Sequence, residues 1–173
     1  MFRVYLMSMD QIPDDVFPLA YLITLRSYGT WLHGDERTSV DRHGYNVYGT
    51  PRRAPNIKLE QFAARQMRSK PYIFTKAQRT EVERLIAEVC LHRGYDLKVV
   101  RMQSNHFHAV VSARLKPEPI MNAFKSYATR GLRKAGMVDF ETKLWARKGS
   151  RRYLWKQLDV DLAIDYVINF QDF

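Results

Sequence analysis

The chain has 173 residues, enough for one domain with a buried core, and 46% of them are hydrophobic while 27% are charged. This composition is that of a folded globular protein, and no apolar run reaches the roughly 18 residues that a membrane helix needs, so we expect no membrane partner. The single cysteine, Cys90, excludes an internal disulfide and favours a reducing, cytoplasmic setting. The formal net charge of +10 favours a polyanionic partner, with nucleic acid as the first choice.

The first third of the chain predicts one strand and a long irregular segment. We expect residues 1–18 to form an N-terminal arm, and the apolar, β-rich run 19–28 to form a central strand. Residues 29–57 carry Gly, Pro, Asn and Asp without any period, which predicts a long loop. A loop of that length indicates binding or wrapping, although its aromatic side chains can equally anchor it on the body.

Two helices are predicted next. Residues 58–69 favour a short helix. A clearer helix begins after Thr75, because Gln78 three residues later completes a capping-box pattern. Apolar residues then recur at helical spacing, and Gly94 is typical of a helix end.

The hairpin that follows carries the most reactive side chains. Residues 96–103 and 106–114 alternate as two strands joined by a short turn. Strand alternation puts His106 and His108 on the same face. Two neighbouring imidazoles form half of a metal site, and the alternative is one half-exposed histidine and one satisfied by a hydrogen bond. Zinc-hydrolase patterns are missing, and Val110 stands where a third strand histidine would be needed.

The last part of the chain is basic. Residues 120–135 predict a basic amphipathic helix, and residues 144–158 predict a strand or hairpin with a basic loop. Asp159 is expected to cap a final helix that carries Tyr166 at the edge of its inner face. From residue 114 to residue 156 there are twelve Lys or Arg and three acidic residues, which indicates a nucleic-acid footprint rather than only a solvated face. The candidate nucleic-acid contacts are Lys125, Arg130, Arg133, Lys134, Arg147, Lys148, Arg151 and Arg152.

The order strand, helix, strand, strand, helix, strand, helix predicts the fold class. It suits an α+β sandwich with a central antiparallel sheet and helices packed mainly on one face. No repeat or linker divides the chain, so residues 1–173 are expected to form a single domain.

The ordered set of motifs resembles the single-tyrosine HUH transposases, which include insertion-sequence transposases and relatives associated with repetitive extragenic palindromes. The resemblance rests on Asn105-His106-Phe107-His108 and on Asp165-Tyr166-Val167-Ile168-Asn169, with support from the basic run 124–130 and from Leu144-Trp145. It covers roughly residues 19–171 in the matching order. It implies a ferredoxin-like core and action on single-stranded or hairpin DNA.

The resemblance also implies a set of roles. His106 and His108 would hold Mg²⁺ or Mn²⁺ against the scissile phosphate. Tyr166 would attack, leaving a 5′-phosphotyrosine link and a free 3′-hydroxyl. Much of the family has a third metal ligand four positions after the tyrosine, where this chain has Phe170, so the nearby Gln171 is the predicted third ligand. A homodimer is also implied, because the family often assembles its site from two chains.

Other interpretations stay open at this point. A non-catalytic, domesticated nucleic-acid-binding module is favoured by the phenylalanine at the usual ligand position. A metal phosphoesterase acting on small nucleotides has only the histidine pair as support. Tyr127 is a rival nucleophile, although its spacing suits a packed helix face. The remaining histidines, His33, His43 and His92, are weaker ligand candidates.

Overall fold

The computed structural model describes residues 16–32, 34–35 and 54–169. Its elements are β1 (Ala20–Ser27), α1 (Ile57–Arg65), α2 (Lys76–Arg93), β2 (Asp96–Met102), β3 (His106–Ser112), α3 (Pro117–Lys134), β4 (Trp145–Leu154) and α4 (Gln157–Asn169). Nearly all of the predicted arm and most of the predicted loop 29–57 lie outside these residues. The described ends of that loop meet where the Asn56 amide donates to the Gly34 carbonyl oxygen, 2.8 Å away.

The four strands form one antiparallel sheet in the order β2-β3-β1-β4. The predicted hairpin is present as β2 and β3, and β1 pairs with both β3 and β4. Within the described residues, the strands with two neighbours are therefore β1 and β3. The predicted α+β fold with a central antiparallel sheet is confirmed.

Helices α2 and α3 cover one face of the sheet. Alternate residues of β1, among them Tyr21, Ile23 and Leu25, are almost fully buried against these helices. Phe107 of β3 lies in the same core, where its ring meets Phe124 edge-on with centroids 5.8 Å apart. This arrangement confirms helices packed mainly on one face.

Helix α4 covers the opposite face. Its Val160, Ala163 and Val167 form a second, smaller core with Val110 of β3 and Leu154 of β4. The two cores are possible because successive strand residues point to opposite faces of the sheet. Consequently every side chain of β3 that alternates with Phe107, including both histidines, lies on the α4 face.

Two helix starts differ from the predicted ones. Helix α3 begins at Pro117 rather than at residue 120, because proline is well tolerated in the first turn, where its missing N–H leaves no bond unmade. Helix α4 begins at Gln157, so the prediction that Asp159 caps it is wrong. Asp159 lies in the first turn instead, where a carboxylate is favoured by the positive end of the helix dipole.

The two local signals predicted for α2 are confirmed. Thr75 and Gln78 form the predicted capping box, and Gly94 ends α2 in the left-handed conformation with φ of 68°. Of the two structures predicted for residues 144–158, the strand is present as β4, which covers Trp145–Leu154, and residues 157–158 already belong to α4. Position 149 within that strand requires glycine, because a Cβ atom there would stand 2.6 Å from the Thr24 carbonyl oxygen of β1. Among the helices of the described residues, none is both long and apolar enough to cross a membrane.

Candidate active site

The site lies between β3 and α4. His106 and His108 project from β3 with ring centroids 5.0 Å apart. The Tyr166 ring of α4 stands edge-on to the His108 ring, with centroids 5.5 Å apart and an interplanar angle of 78°. The structure therefore brings three of the predicted site residues together within one chain.

Each imidazole is held by a hydrogen bond at Nδ1. The Asn105 amide oxygen lies 2.8 Å from His106 Nδ1, and the Thr24 hydroxyl lies 2.7 Å from His108 Nδ1. An amide oxygen only accepts, so His106 donates from Nδ1 and its Nε2 keeps a free lone pair. When the Thr24 hydroxyl accepts the hydrogen bond from His108 Nδ1, His108 has the same tautomer, with the lone pair on Nε2. Bonds of this kind orient histidine ligands in metal sites, so the two Nε2 atoms are the candidate ligands for a divalent cation.

Burial keeps both histidines neutral at pH 7. His108 is only 7% exposed, and burial, reinforced by the charges of His106 and Arg26, lowers its pKa to about 3. Burial and the charge of Arg26 also lower the pKa of His106. The neutral imidazole is the form that ligates metals, so the environment favours ligation at neutral pH.

The lowered pKa of His108 predicts an acid-sensitive fold. Between pH 6.5 and about 3, the unfolded chain carries a proton on this histidine that the folded chain excludes, so its contribution is complete above pH 6.5 and is lost as the pH falls. In chelator, lowering the pH from 7 to 5 is expected to reduce the free energy of unfolding by about 2 kcal/mol more in the unaltered protein than in His108→Asn. Urea unfolding measures the free energy of unfolding of both proteins at the two pH values. An equal decrease in the two proteins would contradict the lowered pKa of His108.

Three residues of the site face had no signal in the sequence. Thr24 and Arg26 of β1 are cross-strand partners of His108 and His106, and Arg101 of β2 is the partner of His108 on the other side. The Arg26 guanidinium also lies 3.2 Å from the centroid of the Trp31 ring. Only the strand register places these side chains beside the histidines. Alternation within β1 predicts that Thr24 and Arg26 share a face of the sheet. It does not predict that this face is the one that carries the histidines.

Tyr166 is accessible whereas the rival tyrosine lies elsewhere. The side chain of Tyr166 is 42% exposed, next to Val167, which anchors α4 in the second core. Tyr127 packs against the first core on the opposite face of the sheet, with its ring 6.4 Å from that of His92. Neither Tyr127 nor His92 therefore adjoins the histidine pair.

The remaining predicted ligands fall outside the described part of the chain. This applies to Gln171 and to the weaker candidates His33 and His43, as well as to Phe170. Within residues 16–32, 34–35 and 54–169, no group of three or more His, Cys, Asp or Glu side chains is placed to hold a metal. Of the predicted metal ligands, the described ones are therefore the imidazoles of His106 and His108.

The basic residues of α3 lie away from the histidines. Lys125 is half-buried and donates to the carbonyl oxygens of Ala146, Arg147 and Lys148 at 2.8, 3.2 and 3.3 Å, and burial lowers its pKa. The guanidinium of Arg130 lies 5.0 Å from the Tyr127 ring centroid. Arg133 lies over the Phe140 ring and donates to its carbonyl oxygen, while Lys134 is exposed. Their contact with nucleic acid stays a prediction.

The basic residues of β4 divide between the two faces. Arg152 is the cross-strand partner of Leu22 on the α4 face, and its guanidinium lies 3.9 Å from the Asp159 carboxylate. Arg151 is on the other face, 3.0 Å from the Glu118 carboxylate. Arg147 and Lys148 are exposed. The register with Leu22 therefore places Arg152 on the histidine face.

Taken together, the fold and the site define an α+β protein in which a tyrosine of helix α4 contacts one of two neighbouring strand histidines. A family model described as "Transposase IS200 like" matches residues 63–160, which is more than half of the chain. The chain belongs to the IS200-like transposase family. The resemblance inferred from the motifs is thereby confirmed, and the general class of activity is DNA transposition.

The solved structure of a REP-associated tyrosine transposase bound to a REP hairpin is similar in fold. The TM-score is 0.51 at 10% sequence identity, and the match covers 93% of this chain and 70% of that one. No curated protein matches this chain by sequence. At this identity the structural likeness supports the fold alone.

Proposed function

We propose that this chain cuts and rejoins single-stranded or hairpin DNA through a covalent link to Tyr166. The observation that carries the proposal is the contact of the Tyr166 ring with His108 in a chain of a transposase family. A half-exposed tyrosine whose ring contacts His108, one of two neighbouring neutral imidazoles, would present a nucleophile beside a candidate cation site. The net charge of +10 suits a nucleic-acid substrate.

The residues would act as follows. The Tyr166 hydroxyl oxygen attacks the scissile phosphorus, the bond from phosphorus to the 3′-oxygen breaks, and that oxygen leaves as a free 3′-hydroxyl. The phosphate remains esterified to the tyrosine, and attack by a 3′-hydroxyl reverses the step. Mg²⁺ or Mn²⁺, when bound by His106 and His108, would neutralise charge that develops on the phosphoryl oxygens. Asn105 and Thr24 hold the imidazoles in the orientation that leaves both Nε2 atoms free.

Several finer features of the proposal are extrapolated. Gln171 remains the predicted third metal ligand. A hairpin substrate is supported by the structural neighbour, which is bound to a REP hairpin. A homodimer and a cytoplasmic location also stay predictions. Because His108 and Tyr166 meet within one chain, a second copy is not needed to unite these groups.

A non-catalytic DNA-binding module is the second candidate, since Phe170 occupies the position where many relatives have a ligand. The two functions are separated by incubating the full chain with Mn²⁺ or Mg²⁺ and a DNA hairpin with single-stranded flanks. A strand labelled at its 3′ end should become covalently attached to the protein on a denaturing gel. The other fragment should carry a 3′-hydroxyl that a polymerase extends. Binding without any adduct in either metal would favour the module. Turnover of small nucleotides without salt-dependent DNA affinity would favour a phosphoesterase.

A further inference from the structure

A basic cavity lies beside the candidate active site, and its lining includes neither the histidine pair nor Tyr166. The cavity has a volume of about 340 Å³ and is lined by the start of α2, the end of β2 and the end of α4. Its cationic lining residues are Lys76 and Arg79 of α2 and Arg101 of β2. We name it the Arg101 cavity.

The cations of the Arg101 cavity are unpaired. In the part of the chain that the structure describes, Lys76, Arg79 and Arg101 make no side-chain hydrogen bond or ion pair, and the buried Nε atom of Arg79 has no hydrogen-bond partner. The carboxylate in the lining, Glu83, already accepts a hydrogen bond of 2.7 Å from the Met102 amide. Three cations with one engaged carboxylate leave a positive charge excess, and such an excess is stabilised by a bound anion.

The position of the cavity links it to the strand that would be cut. Arg101 is the cross-strand partner of His108, and the lining residues Ile168 and Asn169 follow Tyr166 by two and three positions. A chain of phosphates passing between the histidines and Tyr166 would therefore run close to the cavity.

The chemistry of the lining indicates the sugar-phosphate backbone rather than a base. Among the described residues that line the cavity, none is an aromatic side chain on which a base could stack. Lys76 is also the first residue of α2, where the positive end of the helix dipole adds to the attraction for a phosphate. Cationic side chains and a helix start recognise phosphate whatever the sequence of the bases.

We propose that the Arg101 cavity binds a backbone phosphate of the DNA strand, at a nucleotide that flanks the scissile phosphate. This inference rests on the proposed function, because it takes the strand to pass over the histidine pair. The contact positions the strand and contributes no sequence preference.

The test compares Lys76→Gln and Arg101→Gln with the control Arg93→Gln. All three side chains are exposed, and Arg93 ends the same helix that Lys76 begins, about 25 Å away by helix rise. Affinity for a hairpin with single-stranded flanks is measured in chelator over a salt series. Each cavity variant is expected to bind about threefold to fivefold more weakly, and its log–log salt slope should fall by about 0.7. Arg93→Gln should match the unaltered protein.

A second readout locates the phosphate. Single phosphates of the flanks are replaced in turn by uncharged methylphosphonates. One flank position should weaken binding of the unaltered protein and of Arg93→Gln, yet have no effect on Arg101→Gln. If both cavity variants behave like Arg93→Gln in affinity, salt slope and methylphosphonate response, the proposal is overturned. Because binding is measured without metal, a chain that forms no covalent adduct would defeat the proposed function and leave this result standing.

Discussion

Tyr166→Phe is expected to bind hairpin DNA as tightly as the unaltered protein while forming no covalent protein–DNA adduct. The change removes only the hydroxyl and keeps the ring that meets His108, so the fold and the DNA surface should persist. Adduct formation with Mn²⁺, followed on denaturing gels, should fall by at least about a thousandfold, as removal of a nucleophile does in other enzymes.

Tyr127→Phe is the matched control for that result. It removes the same hydroxyl from the rival tyrosine, which packs on the opposite face of the sheet. Its adduct yield should equal that of the unaltered protein. An undiminished adduct in Tyr166→Phe, or one lost only in Tyr127→Phe, would show that the nucleophile has been misassigned.

Replacing either site histidine is expected to remove metal-dependent cutting. His106→Ala and His108→Ala each delete one of the two imidazole donors, so Mn²⁺ affinity should fall by about a hundredfold or more and the adduct should disappear. Isothermal titration with Mn²⁺ and the adduct assay measure the two effects. Affinity for DNA in chelator should change little, because neutral imidazoles supply no charge to a phosphate.

Two further variants test this prediction, one as a control and one at the residue that orients His108. His92→Ala deletes a histidine at the end of α2 beside Tyr127, and it should change neither Mn²⁺ affinity nor adduct yield. Thr24→Val removes the hydroxyl that holds His108 Nδ1, and Mn²⁺ affinity should drop by about tenfold to a hundredfold while the histidine remains. Mn²⁺ affinity that is equal in His108→Ala and His92→Ala would rule out His108 as a ligand.

The local features of this chain can be predicted from short stretches of its sequence. The capping box of Thr75 and Gln78 and the glycine that ends α2 involve neighbouring residues, so their patterns predict the helix correctly. Strand alternation likewise puts His106 and His108 on one face, because the period of two is a property of the extended backbone itself. The order of the elements was enough to predict the α+β class, and the ordered motifs around His106, His108 and Tyr166 carried the resemblance to the family.

The prediction for the start of α4 was wrong because an acidic residue suits more than one position at a helix start. Asp159 has the chemistry of a helix cap, but the same carboxylate is also favoured within the first turn, where the structure places it. No local pattern predicts that the Lys125 ammonium donates to three carbonyl oxygens at the start of β4, because the residues are about twenty positions apart. The role of Lys125 as a nucleic-acid contact stays a prediction.

Sequence patterns predict which elements form, that the two histidines share a face and that Tyr166 follows them on helix α4. The packing of α4 on the face opposite α2 and α3, and with it the contact of Tyr166 with His108, is visible only in the folded structure. The same holds for the positions of Thr24, Arg26 and Arg101 beside the histidines. The difference arises because capping and alternation depend on the backbone over a few residues. Strand register and the choice of face depend instead on how distant apolar residues such as Val110 and Val167 are buried together.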